Sequence, residues 1–166
     1  MNLSFENLSI HGVQTDVVEE QDIGVIKDLW ILLEKYHDAL DKESDPTEDY
    51  DAAFIRWVKD HVLSASSKLF VAKTPNSIIG YCLAVVYHPD QHRFQPQGVI
   101  SSMYVDETYR RFNLGSRLLS ASLAWLKQHV KQKKDITLTV MIGNEHVLEF
   151  YAANGLQLRG YLMSLE

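Results

Sequence analysis

The chain has 166 residues, of which 46% are hydrophobic and 23% are charged, ordinary values for one globular domain. The formal net charge of −6 argues against general nucleic-acid binding, which needs a basic surface, and is compatible with a positively charged ligand. No apolar run approaches the ~20 residues that span a bilayer, and the N-terminus lacks the basic and apolar regions of a signal peptide. We therefore expect a single domain over residues 1–166, in the cytoplasm and without a membrane partner.

The first half of the chain predicts a strand, two helices and two further strands. Apolar residues at three- and four-residue spacing indicate the helices, and short apolar runs between turn residues indicate the strands. The elements in chain order are a strand over residues 13–18, a helix over 25–40, a polar loop over 38–49, a helix with Phe54, Trp57, Val58 and Val62 on one face, a strand over 69–72, a turn at Pro75 and Asn76, and a strand over 78–86.

The only cysteine, Cys82, lies in the last of these strands, so no disulfide can form within the chain. This agrees with a reducing compartment. A small hydrophobe is expected at a buried strand position, and we therefore discount Cys82 as a nucleophile.

The second half of the chain alternates strands with helices, and Gly155 supplies the left-handed residue that commonly ends a helix. The elements are a loop over 88–98, a strand over 99–105, a helix from about residue 114 with Leu118, Leu119, Ser122, Leu123, Leu126 and Val130 inward, a strand over 136–142, a short helix over 146–153, and a last strand over 158–165. This order predicts a mixed α/β domain.

The stretch over 99–119 places an apolar strand before a tight loop that leads directly into a helix. A helix N-terminus exposes unpaired N–H groups and carries a positive partial charge, so a diphosphate can approach it through a loop of small residues. Arg110 and Arg111 add fixed positive charge. The stretch is a candidate anion site, although strand–loop–helix junctions with surface arginines are common in proteins without one.

The loop itself reads Arg110-Arg111-Phe112-Asn113-Leu114-Gly115 and is followed by Ser116. It resembles the acetyl-CoA signature of the GNAT superfamily of N-acetyltransferases, which is Arg/Gln-x-x-Gly-x-Gly/Ala after a strand. Asn113 stands where the family usually has its first glycine. Asparagine tolerates left-handed backbone best after glycine, so we expect the loop to keep its shape.

A second segment resembles the same family. Asn144 matches the asparagine of the family's Asn-x-x-Ala, and Phe150, Tyr151 and Gly155 match its Phe-Tyr-x-x-x-Gly-Phe. The departures are Val147 for the usual alanine and Leu156 for the usual phenylalanine. Both segments occur in the family's order, in a chain of typical family length.

The resemblance implies a fold and a donor site. The fold would be a GNAT-like single mixed, mostly antiparallel sheet with helices on both faces. The strand over 99–105 would diverge from the strand over 136–142, and the pantetheine arm of acetyl-CoA would lie in the gap. Backbone groups of Met103 and Val105 would bond the acetyl carbonyl and the arm, and the N–H groups of residues 111–116 would hold the diphosphate. The implied cofactor-binding residues are Met103, Tyr104, Val105, Arg110, Arg111, Phe112, Asn113, Leu114, Gly115, Ser116 and Asn144, and no metal is implied.

By the same resemblance, Tyr151 would be the general acid. An unperturbed thiol has a pKa near ~8.5 and a tyrosine near ~10, so a hydroxyl held against sulfur can share or give its proton as the carbon–sulfur bond breaks. The ordinary alternative is that Tyr151 only packs against Val147 on an apolar helix face. Its place between Asn144 and Gly155 favours the catalytic role.

The sequence assigns no general base. Many relatives carry a glutamate on the strand over 99–105, where this chain has no carboxylate before Asp106. The acceptor proton could leave through water or to a side chain, the candidates being Ser101, Ser102, Glu34, His37, His88 and His92. The acceptor would be a small amine or a peptide amine, recognised by the loops over 37–49 and 88–98.

Three functions stay open. The first is an acetyl-CoA-dependent N-acetyltransferase that works by direct attack in a ternary complex. The second is a non-catalytic acyl-CoA-binding module of the same fold, which Asn113 and the missing strand carboxylate favour and the retained Tyr151 disfavours. The third is an unrelated phosphate-binding α/β domain, which leaves the match over 144–156 unexplained. Similar proteins commonly dimerise, so a homodimer is a further expectation.

Overall fold

The computed structural model of the chain describes residues 9–13, 20–41, 49–74, 77–88 and 95–160. The strands are β1 Ser9–Val13, β2 Ser67–Thr74, β3 Ser77–Tyr87, β4 Gln97–Val105 and β5 Ile136–Thr137, and the helices are α1 Glu20–Leu40, α2 Tyr50–Trp57, α3 Leu114–His129 and α4 Leu148–Ala153. A π-helical turn, Val58–Val62, continues α2, and 3₁₀ turns lie at Glu107–Phe112, Lys133–Asp135 and Glu145–Val147. No helix in these described ranges is long and apolar enough to cross a membrane.

The strands form one five-stranded sheet in the order β1-β2-β3-β4-β5. The first three pairings are antiparallel, and only β4 and β5 run parallel. The prediction of a mixed, mostly antiparallel sheet is therefore confirmed.

Helices cover both faces of the sheet, which explains why β2 and β3 are apolar along their length rather than alternating. On one face, α3 packs its buried leucines against Phe70, Cys82 and Ala84. On the other, α1 and α2 pack against Leu69, Val71, Tyr81, Leu83 and Val85. The inward residues of the helices are Leu114, Leu118, Leu119 and Leu126 of α3, Ile26, Leu29, Trp30 and Leu33 of α1, and Phe54 of α2. Helical spacing in the sequence identified the inward face of α3. On α1 it identified Leu29 and Leu33, but Leu32 and Tyr36, which share the same spacing, are exposed.

The β4 strand contains a bulge in its middle. Its pairing with β3 passes from Leu83↔Ser102 to Ala84↔Ile100, so Ser101 is an extra residue without a partner across the ladder. Such an insertion bends the strand and increases its local twist. The bulge therefore turns the second half of β4 away from the direction of its first half.

Several predicted element limits were wrong. The first strand is Ser9–Val13 and not 13–18, because β1 pairs residue by residue with β2 from Ser9↔Lys73 to Val13↔Leu69; residues 14–19 lie outside the described part. Helix α1 continues through Asp38 to Leu40, where a loop was predicted.

At the other end of the chain, β5 comprises only Ile136–Thr137 instead of 136–142, because β4 turns away after its second pairing with β5. Residues 158–160 are not in a strand, so the described part of the predicted last strand is not formed, and residues 161–166 lie outside the description. The predicted turn at Pro75 and Asn76 and residues 89–94 of the predicted loop lie outside it as well.

Candidate active site

The ladder between β4 and β5 ends early, and we call the region beyond its last pair the gap. Their parallel ladder contains only the pairs Gly98↔Ile136 and Val99↔Thr137, and it ends just before the bulge at Ser101. Beyond that point the described part of the chain provides β4 with no ladder partner on this side, while its other edge stays paired with β3 up to Val105. The ladder ends where the resemblance implied that the two strands diverge, but residues 138–142, which were predicted to continue the second strand, are not in a strand.

Asn113 forms the junction between the end of this strand and helix α3. Its φ of 58° and ψ of 18° lie in the left-handed region, and within the described ranges it is the one residue other than glycine with positive φ. Its carbonyl accepts from the Arg117 N–H at 3.2 Å, so the helix begins at once. Its side chain makes no capping bond to α3. The N–H groups of the first turn are thus left uncapped by Asn113, as an anion site requires.

Arg110 braces this loop against β4. Its Nε donates to the Val105 carbonyl at 3.1 Å, its guanidinium lies 5.6 Å from the centre of the Tyr104 ring, and its Nη1 is 3.4 Å from Glu107 Oε1. The arginine side chain therefore fixes the position of the loop relative to the end of β4. The backbone of Arg111 lies in the same 3₁₀ turn, and the surroundings of its side chain are not described.

Gly115 marks the place where three elements meet. A Cβ built on it would lie 3.3 Å from Met103 Cε on β4 and 3.3 Å from Phe150 Cζ on α4. Phe112 packs against the same apolar cluster, and Leu114 is fully buried in it. Leu114 is therefore a core residue at the start of α3.

Tyr151 lies on α4 beside Phe150, with ring centroids 5.2 Å apart in an edge-on arrangement. It is partly buried against the apolar cluster that contains Cys82. Burial raises the pKa of its phenol, and the nearby Cys82 thiol raises it further. The hydroxyl therefore carries its proton at neutral pH and can act as a hydrogen-bond donor.

An open groove of about 650 Å³ runs along α3 towards α4. It begins at Asn113, and Asn154 closes it by donating to Ser116 Oγ at 3.2 Å and to the Phe150 carbonyl at 2.8 Å. Its lining is Asn113, Ser116, Arg117, Ser120, Ala121, Ala124 and Asn154. The sequence prediction missed this groove; small residues at helical spacing on α3 were the signal that could have indicated it.

A second cavity, of about 420 Å³, lies between α1 and the end of β4. It is lined by Leu32, Tyr36, Tyr104, Asp106, Glu107, Thr108 and Arg110. Tyr36 also donates from its hydroxyl to Asn144 Oδ1 at 3.0 Å. The structure thus brings Asn144 into contact with α1, a relation that sequence reasoning missed because the two residues are 108 positions apart.

The candidates for a general base are spread over α1 and β4. Ser101 is exposed at the bulge, and Ser102 Oγ lies 2.9 Å from the hydroxyl of the buried Tyr81. Burial, and then the charge of Asp38, raise the pKa of Glu34, while burial lowers the pKa of His37.

Two histidines were also candidates for the general base. His88 is exposed beyond β3, and His92 lies outside the described residues. Within the described ranges, no group of three or more His, Cys, Asp or Glu residues could hold a metal ion.

Comparison with known proteins agrees with this geometry. The model of the acetyltransferase (GNAT) family matches residues 26–156, and no curated protein matches the chain. Solved structures share the fold at low identity. One is a transcriptional regulator from Bacillus halodurans C-125, with a TM-score of 0.69 and 15% identity over 96% of this chain and 99% of that one.

Two others are enzymes by name. The aminoglycoside acetyltransferase meta-AAC0020, from an uncultured soil metagenomic sample and in complex with trehalose, has a TM-score of 0.64 and 17% identity over 98% of this chain and 99% of that one. Aminoglycoside N-acetyltransferase AAC(6′)-Iy in complex with CoA has a TM-score of 0.66 and 14% identity over 96% and 93%.

The family match covers most of the chain, and the mixed, mostly antiparallel sheet is the one that the resemblance implied. The chain belongs to the acetyltransferase (GNAT) family. The prediction that it is an acyltransferase of the N-acetyltransferase class is thereby confirmed.

Proposed function

We propose that this protein transfers an acetyl group from acetyl-CoA to a primary amine of a small molecule or peptide, by direct attack in a ternary complex. The observation that carries the proposal is the unpaired edge of β4 beyond the bulge. After this edge the chain forms the 3₁₀ turn Glu107–Phe112 and then, through the left-handed Asn113, the N-terminus of α3, which Asn113 does not cap. A long, thin donor with a diphosphate at one end suits a strand edge that ends at an anion site.

Different residues around this edge would bind different parts of the donor. N–H groups of residues 111–116 would hold the diphosphate. The backbone of Met103, Tyr104 and Val105 would align the arm. Asn144, on the opposite side of the gap, would contact the arm with its side-chain amide. The donor supplies an activated acyl group as a thioester.

Two features of the chain would assist the transfer. A new carbon–nitrogen bond forms and the carbon–sulfur bond breaks, so negative charge appears first on the carbonyl oxygen and then on sulfur. A backbone N–H on β4 beside the bulge would stabilise the first charge, because a fixed donor needs no reorganisation. Tyr151 would donate to the sulfur, since burial keeps its phenol protonated.

The acceptor is proposed to be a small amine. Two neighbouring folds belong to proteins named as aminoglycoside acetyltransferases. In this chain, the acidic side chains of Glu34 and Asp38 lie at the C-terminal part of α1, next to the Tyr50 hydroxyl, which donates to Asp38 Oδ2 at 2.6 Å. Carboxylates at this position suit an ammonium group that must approach the gap before it is deprotonated.

The alternative is a binding module that holds acyl-CoA without turnover. The observation that favours it is the absence of a carboxylate on β4, where the bulge presents Ser101 and the next residue, Ser102, is bonded to Tyr81. A carboxylate elsewhere, such as Glu34, or a water molecule would then have to accept the acceptor proton for catalysis to proceed.

The decisive experiment measures melting temperatures with acetyl-CoA, CoA, ATP and NAD, followed by turnover on a panel of amines that includes an aminoglycoside. A ligand at 100 times its Kd adds roughly 2.7 kcal/mol of stability. We expect stabilisation by acetyl-CoA and CoA only. Tyr151→Phe should keep that stabilisation and lose roughly 10²-fold or more in kcat.

Tyr87→Phe, at an exposed tyrosine at the end of β3, is the control and should leave both readouts unchanged. Stabilisation by acetyl-CoA without acetylation of any amine would favour the binding module. Stabilisation by ATP or NAD alone would overturn the proposal.

A further inference from the structure

Tyr36 connects the two sides of the gap. It lies on α1 and lines the cavity beside Tyr104 of β4, and its hydroxyl donates to Asn144 Oδ1, beyond β5, at 3.0 Å. One side chain therefore spans from the strand edge to the loop on the opposite side of the opening.

The loop that carries Asn144 has a restrained backbone. Gly143 has a φ of 89°, and its N–H donates to Glu145 Oε1 at 3.0 Å. The Asn144 N–H donates to the Met141 carbonyl at 3.1 Å. A Cβ on Gly143 would lie 3.1 Å from Leu40 Cδ2, so the last turn of α1 sits directly on this loop. The backbone is thus set by neighbours, and the side-chain amide is left to be oriented by its own partner.

Tyr36 holds the amide by its oxygen. A phenol can either donate or accept, and here the Tyr36 hydroxyl donates to Asn144 Oδ1. With Oδ1 taken by Tyr36, the NH₂ group points elsewhere, and it has no hydrogen-bond partner among the residues that the structure describes. Without the hydroxyl of Tyr36, the amide could turn over and present its oxygen instead.

We infer that Tyr36 is a positioning residue for the acyl donor: it fixes the Asn144 amide so that the NH₂ group donates to an amide carbonyl of the donor's arm in the gap. The inference rests on the proposed use of acetyl-CoA. It deepens that proposal by assigning a role to a residue of α1, which the sequence motifs of the donor site do not include.

The test is isothermal titration of wild type and Tyr36→Phe with acetyl-CoA, CoA and adenosine 3′,5′-bisphosphate. The bisphosphate carries the nucleotide end of CoA but has no arm. A hydrogen bond contributes roughly 0.5–1.5 kcal/mol, so Tyr36→Phe should weaken acetyl-CoA and CoA by about two- to tenfold. Its affinity for the bisphosphate should not change, whereas a general structural defect would weaken all three ligands.

Tyr87→Phe is the control. This tyrosine lies at the end of β3 and is exposed, and it lines neither of the two cavities described above. The variant should bind all three ligands as wild type does. A melting curve of each variant without ligand verifies that the fold is retained.

Asn144→Ala and Asn144→Asp complete the test. Aspartate keeps an oxygen for Tyr36 but has no NH₂ group, so both variants should weaken acetyl-CoA by a similar factor. Adding Tyr36→Phe to Asn144→Ala should cause no further loss, because the two residues act through one bond.

Unchanged acetyl-CoA affinity in Tyr36→Phe, or full additivity with Asn144→Ala, would overturn the inference while leaving the proposed function intact. A wild-type protein that binds neither acetyl-CoA nor CoA would instead refute the proposed function, and the inference with it.

Discussion

Phe150 lies against Gly115 so closely that a Cβ at the glycine would stand 3.3 Å from Phe150 Cζ. The same added atom would stand 3.3 Å from Met103 Cε. The first turn of α3 thereby contacts both the strand edge and the helix that carries Tyr151. Small shifts at this point should move the anion site relative to the gap.

Gly115→Ala should separate binding from stability. Alanine is favoured over glycine in a helix by about 1 kcal/mol, while overpacking costs about 1–3 kcal/mol, so the free energy of unfolding should fall slightly or stay the same. Affinity for acetyl-CoA should fall severalfold, because Met103 or Phe150 must give way. Urea unfolding and titration calorimetry measure the two quantities.

Gly24→Ala is the control for that variant, because Gly24 lies within α1 and nothing lies within 4 Å of its added Cβ. It should raise the free energy of unfolding by about 1 kcal/mol and leave binding unchanged. Equal stabilisation by both substitutions would show that the contact at Gly115 imposes no constraint.

Substitutions of Asn113 test the left-handed loop. With φ at 58°, Asn113→Gly should cost little stability and keep acetyl-CoA binding, because glycine adopts this conformation freely. Asn113→Ala should lose about 1 kcal/mol of unfolding free energy and bind the donor more weakly, because alanine has a Cβ but lacks the short polar side chain that lets asparagine adopt the left-handed region. Circular dichroism melts and calorimetry provide the comparison. Equal behaviour of the two variants would contradict the backbone explanation.

Gly80→Ala should be more damaging than Gly98→Ala, although both residues lie on paired strands. A Cβ at Gly80 would stand 2.9 Å from the Tyr104 carbonyl oxygen, which is backbone and cannot turn aside. A Cβ at Gly98 meets Leu126 Cδ2 at 3.0 Å, the end of a flexible side chain. We expect losses of about 3 kcal/mol or more and about 1 kcal/mol, measured by urea unfolding. The reverse order would mean that the two strands can separate at Tyr104.

Glu34→Gln should change the pH dependence of stability. Burial, followed by the charge of Asp38, raises the pKa of Glu34, so the folded protein holds this proton more tightly than the unfolded chain does. The stabilisation is therefore complete below the unfolded pKa near 4.5 and is lost as the pH rises through the folded pKa.

Glutamine cannot ionise, so Glu34→Gln removes the loss of stability that accompanies ionisation of Glu34 at higher pH. The variant should be more stable than wild type at pH 7, and the difference should shrink towards pH 4. The titratable groups that interact electrostatically with Glu34 are His37, Asp38, Tyr50 and Tyr81. Asp28→Asn, at an exposed position of the same helix, is the control for the removal of a carboxylate from α1. A stability difference that does not vary with pH would count against the burial of the Glu34 charge.

Cys82 should react with thiol reagents only when the protein unfolds. It lies on β3, fully buried in the apolar cluster that α3 covers, and burial raises the pKa of its thiol to about 12. Labelling by iodoacetamide at pH 8 should therefore be slow in buffer and become fast across the urea transition. Fast labelling of the native protein would show that this part of the core opens locally.

The sequence determined those features that depend on a few neighbouring residues. Helical spacing of apolar residues identified the inward face of α3 and part of that of α1, and unbroken apolar runs identified β2 and β3. The left-handed backbone at Asn113 was expected from the resemblance, in which a glycine stands at this position, and from the tolerance of asparagine for that region. The end of α4 followed from Gly155, whose φ is 86°. The two short motifs were sufficient to indicate the family.

The tertiary structure decided where those features meet. The bulge at Ser101 and the two-residue length of β5 depend on how β4 pairs with strands on both sides, and no local pattern predicts such a register. The bond from Tyr36 to Asn144 joins residues 108 positions apart, and the brace from Arg110 to Val105 depends on how the loop folds back on the strand. Backbone preferences act over one or two residues, whereas such contacts require helices and sheet to have packed first.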